Sequence, residues 1–175
     1  MKKEPVEFYE VQRFRQWWVL AVLIAANGMF IYGGVQQLIF SKPFGNNPMN
    51  NTLLVFTAIL FLALTVAILS SRLHTFINSE GIYVKFFPFQ IRYKLYGWDV
   101  VQSAYIKKYN PMLKYGGWGI RFRVAGFRMK SEVVYKTAGN AGLQLILKNG
   151  KKILIGTHRP DTISETLTLL GKKEE

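Results

Sequence analysis

Two long uncharged segments dominate the first half of the chain. Arg15 and Lys42 are separated by 26 residues without a charge, and Lys42 and Arg72 by 29 more. A bilayer core about 30 Å thick requires about 20 mainly apolar residues in a helix. The pattern therefore predicts two transmembrane helices, at residues 17–40 and 52–72, joined by an extracytoplasmic loop at residues 41–51. A signal peptide would be shorter, and a second span would not follow it at once.

Basic residues flank these segments unevenly. The loop between them carries Lys42 alone, whereas four basic residues precede the first segment: Lys2, Lys3, Arg13 and Arg15. Lys and Arg in short flanks concentrate on the cytoplasmic side of a membrane. The sequence therefore predicts a multi-pass protein of the plasma (inner) membrane with both termini cytoplasmic, residues 1–16 forming a short cytoplasmic segment.

Small residues recur within the two predicted spans. Backbones approach closely in lipid where small side chains are four positions apart, which predicts helix–helix packing through Ala21 and Ala25 on the first span and Ala63 and Ala67 on the second. Asn27 is an amide inside an apolar segment and is expected to face the partner helix or another subunit. Neither span contains a charged residue, which argues against an ion-coupled transporter.

Strand patterns dominate the remainder of the chain, residues 73–175, which is long enough for one domain with its own core. Apolar residues alternate with polar ones or cluster with β-branched residues between turn signals. Strands are predicted at 81–86, 90–96, 100–108, 119–124, 133–136, 143–148 and 151–156.

The last two of these strands and the C-terminal segment carry the clearest signals. Asn149-Gly150 between two apolar runs predicts a β-hairpin with a tight primed turn. A helix is predicted at about 159–170, because Pro160 and Asp161 suit its first turn and its apolar residues share one face. The expected fold is thus a two-helix transmembrane hairpin followed by a small barrel or sandwich of about seven strands and a C-terminal α-helix.

Two groups of residues resemble a known family. The segment Tyr96-Gly97-Trp98-Asp99-Val100 and the ending that runs from Gly139 through Asn149-Gly150 to Pro160 are similar to bacterial pleckstrin-homology-like domains, in many of which two N-terminal transmembrane helices precede the domain. The resemblance implies a seven-stranded barrel or sandwich capped by a C-terminal helix, and no particular activity. Phosphoinositide-binding pleckstrin-homology domains carry Lys and Arg around the first hairpin, whereas the first hairpin predicted in this chain, at residues 78–81, carries an acid.

Positive charge is concentrated in the predicted cytoplasmic domain. Residues 76–175 contain 17 Lys and Arg against 7 Asp and Glu. A domain tethered within a Debye length of an anionic leaflet gains about 1 kcal/mol for each Lys or Arg near the surface. The partners expected are therefore anionic lipid headgroups, together with a protein partner or a second copy of the chain. The candidate contact residues are Lys107, Lys108, Arg121, Arg123 and Trp118.

Nucleic acid is the rival partner, since basic patches interleaved with aromatic residues also bind it. Strands that alternate Arg with Phe, such as Arg121-Phe122-Arg123, are more typical of half-buried faces with extended cationic side chains. Trp118 lies between two glycines, an arrangement that also suits an aromatic ring packed over glycine. Membrane-surface association is therefore preferred to nucleic-acid binding.

The residues of common catalytic and metal sites are sparse. The chain has no Cys, and His74 and His158 have no second His or carboxylate at ligand spacing. No phosphate-binding loop motif is present. The sequence predicts no enzyme activity, no cofactor and no metal, and favours a membrane-anchored module for scaffolding, assembly or envelope sensing. The alternative is an accessory subunit of a larger membrane complex or transporter, in which the spans are the interface.

Overall fold

The computed structural model describes residues 7–14, 16–108, 119–125, 130–136 and 139–172, and it gives the backbone alone for residues 119–125, 130, 131 and 136. The protein has an α+β fold with two apolar helices, two β-sheets and a C-terminal helix. It divides into two compact units. Residues 15–70 form the helical unit, and residues 1–14 together with 71–175 form the β unit.

The helical unit contains the two predicted apolar helices. Helix α1 spans Trp17–Gly34 and continues as a π-helical turn over Val35–Ile39. Helix α2 spans Asn51–Leu69, where the side chain of Asn50 caps its start by accepting a hydrogen bond from the Leu53 amide at 2.7 Å. Both helices are long and apolar enough to cross a membrane. The second ends three residues earlier than predicted, because Arg72 belongs to a strand.

A polar contact joins the two helices. Asn27 Nδ2 donates to Thr65 Oγ1 across the pair at 2.9 Å and to the Leu23 carbonyl on its own helix at 2.7 Å. The rings of Phe30 and Phe61 meet nearby, with centroids 5.4 Å apart. Asn27 thus faces the partner helix in the same chain.

The alanine spacing predicted a different packing face. Ala21, Ala25 and Ala63 are not buried, and Ala67 is half-buried. An unpaired amide in an apolar environment is more expensive than an imperfect small-residue seam. The Asn27–Thr65 bond fits this order of costs, and the buried residues of the two helices are Leu23, Gly33, Leu54 and Thr65.

The first sheet of the β unit is antiparallel throughout, in the order β1-β2-β3-β4. Its strands span Phe8–Arg13 (β1), Arg72–Ile77 (β2), Gly81–Phe87 (β3) and Lys94–Gly97 (β4). The sequence analysis predicted no element in residues 1–16, yet β1 pairs along its whole length with β2. The helical unit is thus inserted between two hydrogen-bonded neighbours, and the hairpin at 78–81 is the second connection of the sheet rather than the first.

The second sheet has the order β5-β8-β9-β7-β6, in which only the β7–β9 pair is parallel. Its predicted strands are confirmed. They span Val101–Lys108 (β5), Gly119–Ala125 (β6), Lys130–Lys136 (β7), Ala141–Leu147 (β8) and Lys152–Thr157 (β9). The described part of the chain thus contains nine strands rather than about seven.

Two local features differ from the predictions. The strand predicted at 90–96 begins only at Lys94, because the Gln90 amide donates to the Phe86 carbonyl at 2.7 Å and closes a turn after Pro88. The β8–β9 hairpin is present, but its turn is not the primed type. Gly150 alone has a positive φ, of 79°, and its amide bonds to the Leu147 carbonyl at 2.8 Å. This is a type I turn followed by a left-handed glycine.

The core lies between the two sheets and extends under the C-terminal helix α3, Pro160–Leu169, which is confirmed as predicted. Ile163 and Leu167 on α3 have no exposed surface. Tyr96 and Tyr135 join the sheets within the core, with their hydroxyls 3.5 Å apart. Burial, reinforced by this contact, raises the pKa of Tyr96.

Candidate functional site

The outer face of the first sheet, the side turned away from the core, is lined by aromatic and basic side chains. Alternate residues of β1, β2 and β3 are exposed or half-buried on this side, while their neighbours are buried. The antiparallel register aligns the outward residues in three rows across the strands: Arg13–Arg72–Phe87, Val11–His74–Lys85 and Tyr9–Phe76–Tyr83.

Aromatic rings pack together at the centre of this outer face. Phe76 stacks on Tyr83 with centroids 4.2 Å apart and meets Tyr93 edge-on at 5.2 Å. The ammonium group of Lys85 lies 4.8 Å from the centroid of the Tyr93 ring, a cation–π contact. The rings therefore fix the position of a cation on an otherwise exposed surface.

His74 lies in the middle row of the same face. Its Nδ1 is 3.2 Å from the Tyr9 hydroxyl, and its ring meets Tyr93 edge-on. Partial burial lowers the pKa of His74 below the ordinary 6.5, and the nearby positive charges of Lys85 and Arg72 lower it further. His74 is therefore mainly neutral at and above pH 6.5 and adds little positive charge there.

The first row forms what we call the helix-side edge: Arg13 at the end of β1, Arg72 at the start of β2 and Phe87 at the end of β3. The chain leaves this edge after β1, forms the helical unit and returns to the edge at β2. The Phe14 amide, after β1, donates to the carbonyl of Ser71, before β2, at 3.2 Å. Arg13 and Arg72 are exposed and directly opposed. Like charges placed opposite each other on a sheet are destabilising without a counter-charge.

The connection from β3 to β4, residues 88–93, begins at the helix-side edge, and we call it the apolar loop. Phe89 is 66% exposed and Ile91 is 76% exposed, and Phe87 just before them is 40% exposed. Between them, Gln90 Nε2 donates to the carbonyls of Val84 at 3.1 Å and Arg92 at 3.0 Å. The Gln90 side chain thus stabilises the conformation of the loop by bonding to the backbone on both sides of this residue.

Two core-facing residues of β1 form hydrogen bonds with the second sheet and the residue that follows it. The buried Glu10 carboxylate accepts hydrogen bonds from Thr157 Oγ1 at 2.6 Å and from the His158 amide at 2.9 Å. Gln12 Nε2 donates to the Gly156 carbonyl at 2.6 Å. These hydrogen bonds connect β1 to the end of β9. The strand that carries Arg13 is therefore bonded to β2 in the first sheet and to β9 in the second.

The sequence-predicted contact residues lie elsewhere. Lys107 is half-buried and Lys108 is exposed at the end of β5. Lys107 pairs with Gly142, which in turn pairs with Gly156, the residue that Gln12 contacts. These two lysines therefore lie at the end of the second sheet that is fastened to β1.

The other three predicted residues are on or beside β6. Arg121 pairs with Val134 and Arg123 with Glu132 in the backbone register. Their side chains, and all of Trp118, lie outside the described residues, so these assignments stay predictions.

Sequence reasoning missed Arg13, Arg72 and the apolar loop as a group. Arg13 and Arg72 were interpreted only as charges that flank the spans, and Phe89 and Ile91 were not recognised as exposed loop residues. One signal was available, because Tyr9-Glu10-Val11-Gln12 alternates between apolar and polar residues as a strand does, although the structure buries the two polar residues of this run.

Among the described residues, no group of three or more His, Asp or Glu side chains is placed to hold a metal ion. Comparisons with protein-family models and with curated proteins give no match to this chain. The outer face, the helix-side edge and the apolar loop are therefore the features from which a function must be inferred.

Proposed function

We propose that this protein is a membrane-anchored, non-enzymatic pleckstrin-homology-like module that presents a basic surface to anionic lipids on the cytoplasmic side. The β-sheet arrangement supports the fold assignment. Without β6 and β7, seven strands form two antiparallel sheets, and they share one core with the C-terminal helix and with residues of β7. This matches the seven strands and terminal helix that the resemblance implies.

The place of the helical unit in the chain, between β1 and β2, supports the anchoring role. In phosphoinositide-binding relatives the first hairpin holds the basic cluster, whereas in this chain the β1–β2 connection holds the two apolar helices. A chain that leaves at β1, crosses the bilayer twice and returns at β2 keeps both strands on one side. The lone Lys42 between the helices favours the cytoplasm as that side by the positive-inside rule.

The opposed pair of Arg13 and Arg72 is the observation on which the lipid assignment rests. These two exposed cations lie where the chain passes from the sheet into the apolar helices. Anionic headgroups would supply a counter-charge there, worth about 1 kcal/mol per basic residue near the surface. Lys107 and Lys108, on the second sheet, are further candidates for the same lipid contact.

The topology gives the first test. Reporter fusions at Gly45 and after Glu175 should place the loop outside and the C-terminus inside, because β1 and β2 must share a compartment in order to pair. A reporter inserted before Phe8 should report the same compartment as the C-terminal one. Opposite compartments for the two ends of the chain would refute the anchoring model.

Lipid selection gives the second test. Full-length protein in detergent, mixed with equal amounts of phosphatidylglycerol and phosphatidylcholine, should retain the anionic lipid preferentially, as counted by native mass spectrometry. Arg13→Gln combined with Arg72→Gln should weaken that preference by about 2 kcal/mol, since each residue contributes about 1 kcal/mol. Added salt should weaken it as well.

Lys148→Gln combined with Lys151→Gln is the matched control. Both lysines are exposed in the β8–β9 turn, where the Lys148 amide bonds to the Val100 carbonyl beyond the far end of β4. The same loss of charge there should leave the lipid preference unchanged. Equal retention of both lipids by the wild-type protein would instead favour the alternative function, an accessory subunit whose partner co-purifies with it.

A further inference from the structure

The apolar loop combines two features that rarely occur together on a water-facing surface: exposed large apolar side chains and a fixed conformation. Its tip residues Phe89 and Ile91 are 66% and 76% exposed, and Phe87 at its base is 40% exposed. Single exposed apolar residues are ordinary, but a cluster of large ones indicates a binding surface. Three of them within five residues form such a cluster.

The loop is ordered by contacts of its own. Gln90 donates three hydrogen bonds to backbone carbonyls. Its backbone amide donates to Phe86 at 2.7 Å, and its side-chain amide donates to Val84 and Arg92. The Phe89 ring stacks on that of Phe86 with centroids 6.0 Å apart. Phe89 and Ile91 therefore flank a residue, Gln90, whose conformation is fixed by hydrogen bonds. Binding through these two side chains requires little further loss of backbone entropy.

The start of this loop pairs with the first residue of the strand that follows α2 in the chain. Phe87 pairs with Arg72, and Arg72 is the third residue after Leu69, the last residue of α2. Three residues reach at most about 11 Å, so β2 begins shortly after α2 ends. The headgroup region of a bilayer extends about 5–8 Å beyond each side of the hydrocarbon core. If α2 spans the bilayer, β2 begins close to that region, and the loop starts at the residue that pairs with the beginning of β2.

The charges around the loop suit an anionic lipid surface rather than a neutral one. Lys85 and Lys94 flank it, Arg92 lies within it, and residues 85–94 contain no Asp or Glu. Of the acids in the first sheet and its connections, Glu10 is buried and bonded to Thr157, and Glu80 lies at the opposite end of β3. Apolar residues flanked by cations are the combination that binds the boundary between headgroups and acyl chains of anionic leaflets.

We propose that the apolar loop inserts Phe89 and Ile91 into the headgroup–acyl boundary of the leaflet from which the helices emerge. The β unit is then held against the bilayer at a third point, besides the chain entering α1 and the chain leaving α2. This inference deepens the proposed function and rests on it, because it requires the two helices to span the membrane.

Depth-resolved fluorescence quenching tests this insertion. The chain has no Cys, so Ile91→Cys provides a single labelling site for an environment-sensitive dye. The full-length variant is placed in nanodiscs of phosphatidylglycerol and phosphatidylcholine with a nitroxide on the acyl chain. We expect strong quenching of the label by the nitroxide lipid and loss of quenching by aqueous iodide.

Leu169→Cys is the matched control. Leu169 is 83% exposed at the end of α3, and the residues that follow it, Gly171 and Lys172, line a surface cleft with Trp98 beyond the far end of β4. Its label should stay open to iodide and unquenched by the lipid. An Ile91 label that iodide quenches as strongly as the Leu169 label would overturn the insertion, and so would equal lipid quenching at both sites.

A second variant separates insertion from the electrostatic function. Phe89→Ser combined with Ile91→Ser changes only exposed side chains, so the variant should fold, and a label on Arg92→Cys in this background should lose its lipid quenching. Retained quenching there would count against insertion through the apolar side chains. Failure of the proposed function has a different signature, namely equal retention of anionic and neutral lipid by the wild-type protein, whatever the Ile91 label reports.

Discussion

Replacing the helical unit by a two-residue turn should yield a folded, water-soluble protein. Phe14 and Ser71 are joined by a backbone hydrogen bond of 3.2 Å at the end of an antiparallel strand pair. An Asn-Gly linker between them supplies the tight turn that such a pair accepts. The resulting chain, residues 7–14 and 71–172, should be monomeric and unfold cooperatively in urea.

Removal of β1 from this soluble protein should cost more stability than any single substitution in its core. Phe8 is only 3% exposed in the core, and truncating a buried aromatic residue typically costs about 3–5 kcal/mol. The bonds that Glu10 and Gln12 make to β9 and its end are lost as well. Since domains are stable by only about 5–15 kcal/mol, residues 71–172 alone should be largely unfolded.

Circular dichroism and urea titration of the two proteins measure this difference. A variant with Tyr9→Ser, which changes an exposed residue of the same strand, is the control and should keep nearly the full stability. If residues 71–172 unfolded with the same midpoint as the longer protein, β1 would be an accessory to the sheet and not part of its core.

Leu167→Ala should be among the most damaging single substitutions in helix α3. Leu167 has no exposed surface and packs in the core shared by both sheets. Truncation of a buried Leu costs about 2–5 kcal/mol through lost burial and the cavity left behind. The urea midpoint of the soluble protein should therefore fall, with an unchanged slope.

The same helix provides the comparison for Leu167. Leu169 is 83% exposed, so Leu169→Ala makes the same chemical change without a cavity and should alter stability by less than about 0.5 kcal/mol. Equal effects at the two positions would show that α3 does not pack on the sheets in solution.

Local signals account for most of the elements predicted from the sequence. The apolar helices, the strands from β5 onward and α3 each depend on periodicity, turn residues or caps within a few positions, as with Gly150 and Pro160. Such signals do not suffice for β1, because a single strand of six residues is stable only through its partner. That partner, β2, lies on the far side of the helical unit in the sequence.

The candidate site was less accessible to sequence reasoning for the same reason. Arg13 and Arg72 become neighbours only through the β1–β2 register, and Phe87 joins them only through the β2–β3 register. The alternation from Gln90 to Tyr96 favoured a strand, but Gln90 takes three backbone carbonyl partners and leaves its apolar neighbours outside the sheet. Periodicity alone does not distinguish an outward loop from a half-buried strand.

The placement of the helical unit between β1 and β2 has a consequence for biosynthesis. β1 leaves the ribosome before the two apolar helices and has no partner until both have been made, since Phe8 pairs with Ile77 and Arg13 with Arg72. If only one helix entered the bilayer, β1 and β2 would be held in different compartments and the sheet could not close. In a membrane-spanning chain, completion of the fold thus requires that both helices have inserted, and a wrongly inserted chain would expose its unpaired strands to proteolysis.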